Sequence, residues 1–418
     1  MSIRFPVSSI CQIGFVLLTP LISVGPIAYG ENWTAYRGES GDGISADTVP
    51  GGALKVDWKV PTPNGFSSFV ISDGRVMTLI AEDGQAFLVA IDRKTGREGW
   101  RTPLGSTQYN GGGGNAGAPG NRGGDGPRST PTLDGDVIYT YDAHLVLRCH
   151  DARNGKLVWE RDIAAEYDGQ DLKWSSAASP VVNGDRVFVC GGGAGKTILA
   201  FNKKTGQEVW ATADEKITHA TPTVATIDGQ RQLITIMQSG LVSVDVESGR
   251  ELWRAKFPYS VSTAASPVVS GRFVYCSAGY GVGAAMFEIE TGNHVREVWF
   301  KPNELMNHWS TPVAKDGYLY GLYEFKKYGK APLQCVEMAT GEIKWKERGF
   351  GPGNCILVGD RLVVLSDAGE VAIVEAVPDE YREIARKKVI EGKCWSTPSV
   401  ADGKIFVRST IEGAMVSP

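Results

Sequence analysis

Short apolar runs separated by glycine-containing turns recur along most of the chain, as in RVFVC (186–190) and QLITIM (232–237). The runs are rich in valine, isoleucine and leucine, and many are joined by Asn-Gly or Asp-Gly. Apolar runs joined by turns of this kind are typical of β-hairpins, because glycine accepts the positive φ that a tight turn requires. The pattern predicts an all-β protein of many short antiparallel strands.

The runs are organised in a repeated unit, which is complete in ASPVVNGDRVFVCGGGAGKTILAFNKKTGQEVW (178–210). A unit opens with Ser/Thr-Pro, passes a first glycine turn and ends in a D-x-x-T-G-x-x-x-W pattern. The first turn glycine recurs at spacings of roughly 42 to 61 residues, within the range of propeller blades. It occupies eight positions: Gly74, Gly135, Gly184, Gly229, Gly271, Gly317, Gly359 and Gly403. We therefore expect an eight-bladed β-propeller of four-stranded antiparallel blades.

The tryptophan at the end of the unit supplies a large apolar surface on which one blade can pack against the next. The eighth unit stops before its outer strand, and the segment ALKVDWKV (53–60) carries Trp58 at the corresponding position. An N-terminal strand at this place would close the last blade and remove an open sheet edge. The seventh unit lacks both Ser/Thr-Pro and the tryptophan, and is the degenerate blade.

Composition and charge limit the classes of function. The 418 residues carry a net charge of -4 with lysine spread along the chain, which argues against nucleic-acid binding. Arg4, the apolar run IGFVLLTPLISV and the small residues before Gly30 predict an export signal over residues 1–30. Cleavage would leave one propeller domain, 31–418, with no membrane span, in the periplasm or secreted.

Six cysteines follow the predicted signal, an even number that permits disulfides in an exported protein. None of them forms a CxxC pair, and several lie in apolar runs where a free buried thiol is equally expected. Disulfides and free thiols both remain open, and the sequence assigns no connectivity among Cys149, Cys190, Cys276, Cys335, Cys355 and Cys394.

Gly195-Lys196-Thr197 superficially matches the end of a phosphate-binding P-loop, which needs a further glycine five residues before Gly195 and a helix after the threonine. Cys190 stands at that glycine position, and a strand-like run follows Thr197. The segment is predicted to be a hairpin turn of the third blade.

The eight units resemble the PQQ-like β-propeller repeats, whose superfamily includes quinoprotein dehydrogenases and the propeller scaffold of the outer-membrane protein assembly machinery. The segment NWTAYRGESGDGIS (32–45) is similar to the W-x-x-x-R-G-x-x-x-x-G start of exported bacterial proteins with these repeats. The resemblance covers nearly all of the chain after the predicted signal. It implies the fold, whereas a fold by itself does not determine the chemistry.

The resemblance to quinoproteins implies pyrroloquinoline quinone and calcium, held by adjacent cysteines, a tryptophan and an acidic cluster. The sequence contains no adjacent cysteine pair, no recognisable acidic cluster of that type and no haem-attachment CxxCH. We therefore predict no cofactor, and pyrroloquinoline quinone with calcium stays the alternative.

The segments that precede each Ser/Thr-Pro should converge on one mouth of the central channel, together with the hairpins between the second and third strands. Aromatic walls with a few polar groups are typical of ligand sites. The candidate residues on this face are Arg128, Trp174, Lys196, His219, Asn307, His308, Trp309, Glu324 and Trp395. A glycine-rich insertion, 109–128, enters the same face.

Structural roles compete with binding at these positions. The tryptophans would also serve as a packing position common to the repeats, and the histidines would also bond backbone carbonyls. We expect a non-catalytic binding or scaffold protein for a partner protein, a peptide or a small ligand. The alternatives are an oxidoreductase of alcohols or sugars that uses pyrroloquinoline quinone and calcium, and a polysaccharide-binding module that stacks sugar rings on the aromatic mouth.

Overall fold

The computed structural model describes residues 1–2, 32–72, 74–109, 126–170, 172–324 and 330–418. The predicted all-β fold is confirmed: eight antiparallel blades of four strands surround a central channel. Apart from Met1, Ser2 and the ends of the insertion, the predicted export signal and the glycine-rich insertion lie outside the described residues. Among the described residues, no helix is both long and apolar enough to cross a membrane.

Each blade is ordered A to D from the channel outwards. Blades 1 to 4 comprise Val70–Ser72, Arg75–Glu82, Gln85–Asp92 and Glu98–Ser106; Thr132–Asp134, Val137–Tyr141, Val146–Asp151 and Leu157–Asp162; Val181–Asn183, Arg186–Cys190, Ile198–Asn202 and Glu208–Thr212; and Thr223–Ile227, Gln230–Met237, Gly240–Asp245 and Glu251–Lys256. A single helical turn, Ile163–Glu166, follows blade 2.

Blades 5 to 7 comprise Val268–Ser270, Phe273–Ala278, Gly283–Glu290 and His294–Pro302; Val313–Lys315, Tyr318–Leu322, Leu333–Glu337 and Ile343–Glu347; and Asn354–Val358, Arg361–Leu365, Glu370–Glu375 and Glu383–Lys388. Blade 8 comprises Ser399–Ala401, Lys404–Arg408, Glu412–Ser417 and, as its outer strand, Lys55–Pro61. The antiparallel pairing of Lys55–Pro61 with Glu412–Ser417 confirms the predicted closure by the N-terminal segment.

Five tryptophans pack on the turn glycine of the next blade: Trp58, Trp100, Trp159, Trp210 and Trp299. Trp210 lies so close to Gly249 that a Cβ on this glycine would be 2.7 Å from the indole ring, and Gly249 has φ +71°. The indole N–H of Trp210 donates to the carbonyl of Val246 at 3.2 Å. Trp159 and Gly206 repeat this arrangement. The repeated T-G and W positions are therefore two halves of the contact between neighbouring blades.

A serine or threonine at the start of the inner strand links several pairs of neighbouring blades. The hydroxyl oxygens of Ser68, Thr130, Ser179, Thr221 and Thr311 each accept a hydrogen bond from the backbone N–H of the matching residue in the preceding blade. The chain of contacts runs from Thr397 to Ser68, from Ser68 to Thr130, from Thr130 to Ser179 and from Ser179 to Thr221, with distances of 2.8–2.9 Å. These hydroxyls form a belt around the channel, which explains their place in the repeat.

An arrangement that the sequence did not predict is the path of residues 33–49, here named the channel segment. Trp33 forms a bridge with Ile71 of blade 1, and Ile44–Ser45 pairs in parallel with Leu357 and Val358 of blade 7. Between these points the segment crosses the channel. The W-x-x-x-R-G start is therefore a crossing of the propeller axis, and blade 7, the degenerate unit, gains a fifth strand from it.

Arg37 anchors the channel segment on the far side. Its guanidinium donates to the carbonyls of Thr311 at 2.7 Å and Pro312 at 2.8 Å, and to that of Asp42 at 2.7 Å. Burial lowers the pKa of Arg37 from its ordinary value. Gly43 has φ +80°, and a Cβ there would lie 2.6 Å from the guanidinium, so this position requires glycine.

The six cysteines of the propeller are free and buried. Burial raises the pKa of each thiol, for Cys394 to about 12. Thiols of this kind behave as small apolar core residues rather than as reactive groups.

Candidate functional site

A pocket opens at the mouth of the channel where the connections into the inner strands converge. It contains about 140 Å³ of space for the centres of water molecules. The channel segment contributes Tyr36 to its lining, and the hydroxyl belt contributes Ser68, Ser179, Thr221 and Thr397. Six of the nine residues predicted from the sequence line this mouth pocket: Arg128, Trp174, His219, His308, Trp309 and Trp395.

One side of the mouth pocket is an aromatic wall, formed by Phe66, Trp395, Trp309, His308 and Tyr280. Neighbouring rings along this series have centroids 4.3–4.9 Å apart, and the shortest separation joins Trp309 and Trp395. The indole N–H of Trp309 donates to the carbonyl of Pro352 at 3.2 Å, which fixes the plane of the ring. The rings of the wall therefore pack on one another and form an apolar side of the pocket.

Trp395 is held from its outer edge by blade 7. Its indole N–H donates to the Asp367 carboxylate at 2.8 Å, and the same carboxylate accepts from Lys393 Nζ at 2.9 Å. The ammonium group of Lys393 also lies 5.7 Å from the centre of the Trp395 ring. Asp367 is thus occupied in positioning the wall, and it is not among the lining residues.

The opposite side of the pocket is built around Trp174. Trp174 and Ser175 both have positive φ, +69° and +60°, which is an unfavourable backbone conformation for residues with a Cβ. This conformation turns their carbonyl oxygens towards Arg128, whose Nη1 donates to both. The Arg128 guanidinium also lies 5.1 Å from the centre of the Tyr109 ring.

Two histidines face the pocket as neutral groups. Burial lowers the pKa of His219 to about 3, and the positive charge of Arg128 and the nearby imidazole of His308 lower it further, whereas hydrogen bonding to the backbone carbonyls of Lys173 and Ser175 opposes the shift. Burial also lowers the pKa of His308 to about 4. Nδ1 of each ring has no hydrogen-bond partner among the described residues.

Because His219 Nδ1 has no partner, the nitrogen that donates to the backbone carbonyls is Nε2. This fixes the tautomer of the neutral ring and leaves Nδ1 as a bare acceptor. Buried acceptors are normally paired, since an unpaired one costs free energy. A hydrogen-bond donor on a ligand would therefore pair with His219 Nδ1.

The other three predicted residues lie outside the mouth pocket. Lys196 is on the surface, where Nζ is 3.2 Å from the Asp168 carboxylate. Glu324 accepts from Gln334 at 3.2 Å and pairs with Lys346. Asn307 is fully buried: its amide donates to the Leu322 carbonyl at 2.7 Å and accepts from the Tyr275 hydroxyl at 2.7 Å.

Sequence reasoning missed two aromatic members of the pocket, Tyr36 and Phe66. Phe66 precedes the first Ser-Ser of blade 1, the position that supplies Trp395 in blade 8, so this signal was present in the sequence. Tyr36 belongs to the channel segment, and its place in the pocket depends on a crossing that no local pattern shows.

The donor atoms of the pocket limit its chemistry. The described lining residues include one guanidinium, two neutral imidazoles and several hydroxyls, and no carboxylate or carboxamide. No group of three or more His, Cys, Asp or Glu suitable for a metal ion occurs among the described residues. Calcium prefers carboxylate and carbonyl oxygens, so this set of lining side chains does not fit a calcium-bound cofactor.

Comparison with known proteins agrees with the fold. Residues 85–347 match a protein-family model described as outer membrane protein assembly factor BamB. No curated protein sequence matches the chain. Among solved structures, BamB from Moraxella catarrhalis is similar, with a TM-score of 0.62 at 17% identity over 88% of this chain and 98% of that protein.

A quinohemoprotein alcohol dehydrogenase is also similar in structure. The enzyme from Comamonas testosteroni gives a TM-score of 0.63 at 12% identity, over 92% of this chain and 80% of the enzyme. At these identities the two likenesses establish the fold alone. BamB and an alcohol dehydrogenase therefore share this fold, so the fold does not determine the function of the chain.

Proposed function

Because the chain belongs to the PQQ-like β-propeller family whose model is described as outer membrane protein assembly factor BamB, we propose that it is a non-catalytic binding protein. Its mouth pocket holds a small ligand or a short segment of a larger partner. The predicted export signal would place this activity in the periplasm or outside the cell.

The observation that carries the proposal is the combination of an aromatic wall with polar groups that do not titrate near neutral pH. A general acid or base works best with a pKa near the operating pH. The pKa values of His219 and His308, about 3 and about 4, are far below that range. The same groups are well suited to hold a ligand, because neutral imidazoles and indole faces recognise shape and hydrogen-bond donors.

The alternative is an oxidoreductase that uses pyrroloquinoline quinone and calcium. The likeness to quinohemoprotein alcohol dehydrogenase supports it at the level of the fold. The described lining residues lack the oxygen ligands for calcium, and the two candidates that could have supplied them, Asn307 and Glu324, point to structural partners. We therefore derive no reaction step through that cofactor.

Fluorine NMR of the purified chain labelled with 5-fluorotryptophan tests the proposal. The chain has 11 tryptophans, of which Trp174, Trp309 and Trp395 line the pocket, whereas those such as Trp210 and Trp253 pack at blade contacts and serve as internal controls. The probes are a library of small fragments and, separately, pyrroloquinoline quinone with calcium chloride and a dye acceptor in the presence of alcohols and sugars.

We expect fragments that shift the three pocket signals and leave the blade signals unchanged, and we expect no dye reduction. Dye reduction that depends on the quinone would overturn the proposal in favour of the oxidoreductase. Fragments that shift only other signals would show that the pocket is not a binding site. A Trp→Phe variant at each position assigns its signal, so that shifts of pocket tryptophans can be told from shifts of blade tryptophans.

A further inference from the structure

We propose that the propeller has a second binding site inside the channel, where an extended peptide adds as a further strand to the inner edge of blade 4. The site lies on the other side of the channel segment from the mouth pocket, so this inference goes beyond the proposed function. The strand that receives the peptide is Thr223–Ile227. Three observations support the proposal: the length of this strand, the backbone groups on its channel edge and the space beside it.

The inner strand of blade 4 is longer than most of its counterparts. Among the described residues, the inner strands of blades 4 and 7 have five residues and those of the other six blades have three. In blade 4 the first turn glycine follows the proline by seven residues (Pro222 and Gly229), whereas in blade 3 it follows by four (Pro180 and Gly184). The extra residues lengthen the inner strand at the end that lies away from the mouth.

The turn at the end of this strand determines which of its backbone groups face the channel. The two turn residues have φ of +50° and +79°, and Ile227 pairs with Gln230 across them. In a two-residue hairpin of this type the flanking pair is hydrogen-bonded, and every second pair beyond it is not. Thr226 and Val224 belong to pairs that are not hydrogen-bonded. Their N–H and C=O groups therefore point away from the second strand, towards the channel.

No described residue pairs with these channel-side groups. The carbonyl of Arg231, which lies opposite Thr226 in the ladder, accepts instead from the N–H of Val246 at 3.4 Å on its other side. Among the described residues, no backbone hydrogen bond reaches Val224 or Thr226 from the channel. An unpaired strand edge of this kind is a template for a further strand.

Blade 7 shows that the channel of this propeller accommodates such a strand. Its inner strand has the same length, and Ile44–Ser45 of the channel segment pairs with it in parallel. The N–H groups of Leu357 and Gly359 donate to carbonyls of the channel segment at 2.8 and 2.9 Å. These two residues lie one before and one after the end of their strand. Thr226 and Asp228 hold the same places in blade 4, where no described segment pairs with them.

The channel has space on both sides of this strand edge. A cavity with about 520 Å³ of space for the centres of water molecules lies on the side of blades 2 and 3, and one of about 190 Å³ lies on the side of blade 5. Both are lined by Val224 and Thr226 and by Ser40 and Gly41 of the channel segment. Successive side chains of a strand point to opposite faces, so those of an added peptide would enter the two cavities in turn.

The channel segment separates these cavities from the mouth pocket. Tyr36 and Thr221 line both the mouth pocket and the larger cavity. Gly135 and Gly184, the turn glycines at the other end of the inner strands, line the larger cavity but not the mouth pocket. The larger cavity therefore extends from the channel segment towards the face of the propeller opposite the mouth.

The pattern of backbone groups favours a peptide over a glycan. Val224 and Thr226 present N–H donors and C=O acceptors in alternation along one line. An extended backbone carries the complementary alternation at the same spacing. A sugar chain has no fixed alternation of this kind, because each of its hydroxyl groups both donates and accepts. The chemical class of the ligand is therefore a segment of polypeptide in extended conformation.

The experiment is hydrogen exchange of the purified chain, resolved to single amides, with and without a pool of pentapeptides. The peptides are acetylated and amidated, and each position is randomised over all residues except cysteine and proline. We expect the pool to slow exchange at Val224, Thr226 and Asp228, and to leave exchange in Val313–Lys315, the inner strand of blade 6, unchanged.

A second pool with proline at the second and third peptide residues is the matched control. Proline has no N–H, so this pool lacks one donor on each edge of the peptide. We expect it to slow exchange at Val224 and Thr226 at least about threefold less than the first pool, the effect of one lost backbone hydrogen bond.

Thr226→Pro tests the strand edge in the protein itself. It removes a channel-side donor, and it preserves the ladder to the second strand because the Thr226 N–H takes no part in that ladder. We expect the pool concentration that gives half-maximal protection to rise by about three- to tenfold. Ala314→Pro is the matched control, because Ala314 holds the same place in blade 6 and lines neither cavity. It should change this concentration by less than about twofold.

Ser40→Tyr is a second test that leaves blade 4 unaltered. Ser40 is exposed and lines both cavities opposite the strand edge, so a tyrosine side chain would fill the space that the peptide needs. We expect protection of Val224 and Thr226 by the first pool to be lost. This variant decides the question even where Thr226→Pro does not fold.

The outcomes separate this inference from the proposed function of the mouth pocket. If the first pool does not slow exchange at Val224 and Thr226, or if both pools slow it equally, the second site does not exist as proposed. If the peptides slow exchange only around Trp309 and Trp395, they bind at the mouth pocket, so the proposed function gains support and the second site fails. Stronger protection by maltohexaose than by the peptides would assign the strand edge to a glycan and overturn the peptide assignment.

Discussion

Tryptophan serves two different purposes in this molecule, at the contacts between blades and at the mouth of the channel. At the contacts, Trp210 lies on Gly249 and donates its indole N–H to a backbone carbonyl of the neighbouring blade. At the mouth, Trp174 and Trp309 are partly buried, and together with Trp395 they line the pocket.

The two sets differ in what fixes them. Most blade tryptophans occur four residues after a glycine, as Trp159 and Trp210 do, so one rule of the repeat places them at the blade contacts. Trp299 of blade 5 follows its glycine by seven residues. The mouth residues occur in connections that differ from blade to blade: Arg128, His219 and Ala264 take the places in blades 2, 4 and 5 that Trp309 and Trp395 take in blades 6 and 8. The regular positions determine the fold, and the irregular ones determine what the mouth can bind.

The largest effect is expected at a blade contact. Trp210→Ala removes a side chain that is 8% exposed and leaves a cavity against Gly249, so we expect a loss of about 3–5 kcal/mol in the free energy of unfolding. Trp309→Ala at the mouth is the matched control, and it should cost clearly less because its ring is partly exposed. Urea unfolding measures both. Equal losses would contradict the division into two sets.

The channel segment supplies Tyr36 to the mouth, but its Arg37 belongs with the structural contacts. Arg37→Met removes the guanidinium that holds the carbonyls of Thr311 and Pro312, and we expect a loss of about 2 kcal/mol. Hydrogen exchange should rise in residues 33–49. Arg153→Met is the control, because Arg153 pairs with Asp151 on the surface, and its loss should leave the free energy of unfolding and the exchange in 33–49 unchanged. Unchanged exchange in 33–49 would show that Arg37 does not anchor the segment.

The blades could be predicted from the sequence because the residues that form the contacts between blades recur at similar positions from unit to unit. Gly249 and Trp253 are four residues apart, and Ser/Thr-Pro marks the start of the inner strand in every blade except blades 1 and 7. The crossing of the channel could not be predicted. It depends on Trp33 meeting Ile71, and on Arg37 meeting carbonyls 274 and 275 residues away.

The candidate site was predicted less completely for a related reason. Position before Ser/Thr-Pro places a residue at the mouth but does not give the direction of its side chain. Asn307 and His308 are neighbours, yet Asn307 turns into blades 5 and 6 and His308 lines the pocket. Lys196 and Glu324 lie on hairpins of the same face, where nearby charged partners hold them outside the pocket.

The pH dependence of stability extends the comparison to histidine. The pKa of His219 at the mouth is about 3 and that of His150 within blade 2 is about 4, both lowered first by burial. The folded-state pKa of each histidine lies below the unfolded value of about 6.5. Its contribution to the free energy of unfolding is therefore fully present above pH 6.5, and it is lost as the pH falls towards the folded-state pKa. Each histidine should contribute up to about 1.4 kcal/mol per pH unit in that window.

The measurement is urea unfolding of the unaltered protein and of His219→Gln between pH 7.5 and 4.5. The variant should show a shallower decline below pH 6.5, and His150→Gln should reduce the slope by a similar amount. Only the mouth variant should also change the response of the pocket to its ligand. Identical slopes in all three proteins would show that these histidines are not held neutral in the folded state.

The smallest effect on stability is expected at Trp174, where the mouth retains backbone strain. Trp174 has φ +69°, a conformation that glycine adopts without penalty and alanine does not. Trp174→Gly should therefore be more stable than Trp174→Ala by about 1 kcal/mol, a difference that urea unfolding of the pair resolves. Both variants remove the indole, so fluorine NMR should show the same weakened response of Trp309 and Trp395 to a pocket ligand. If the glycine variant were the less stable of the two, the strain would not exist, and the positive φ of Trp174 would not distinguish the mouth from the blade contacts.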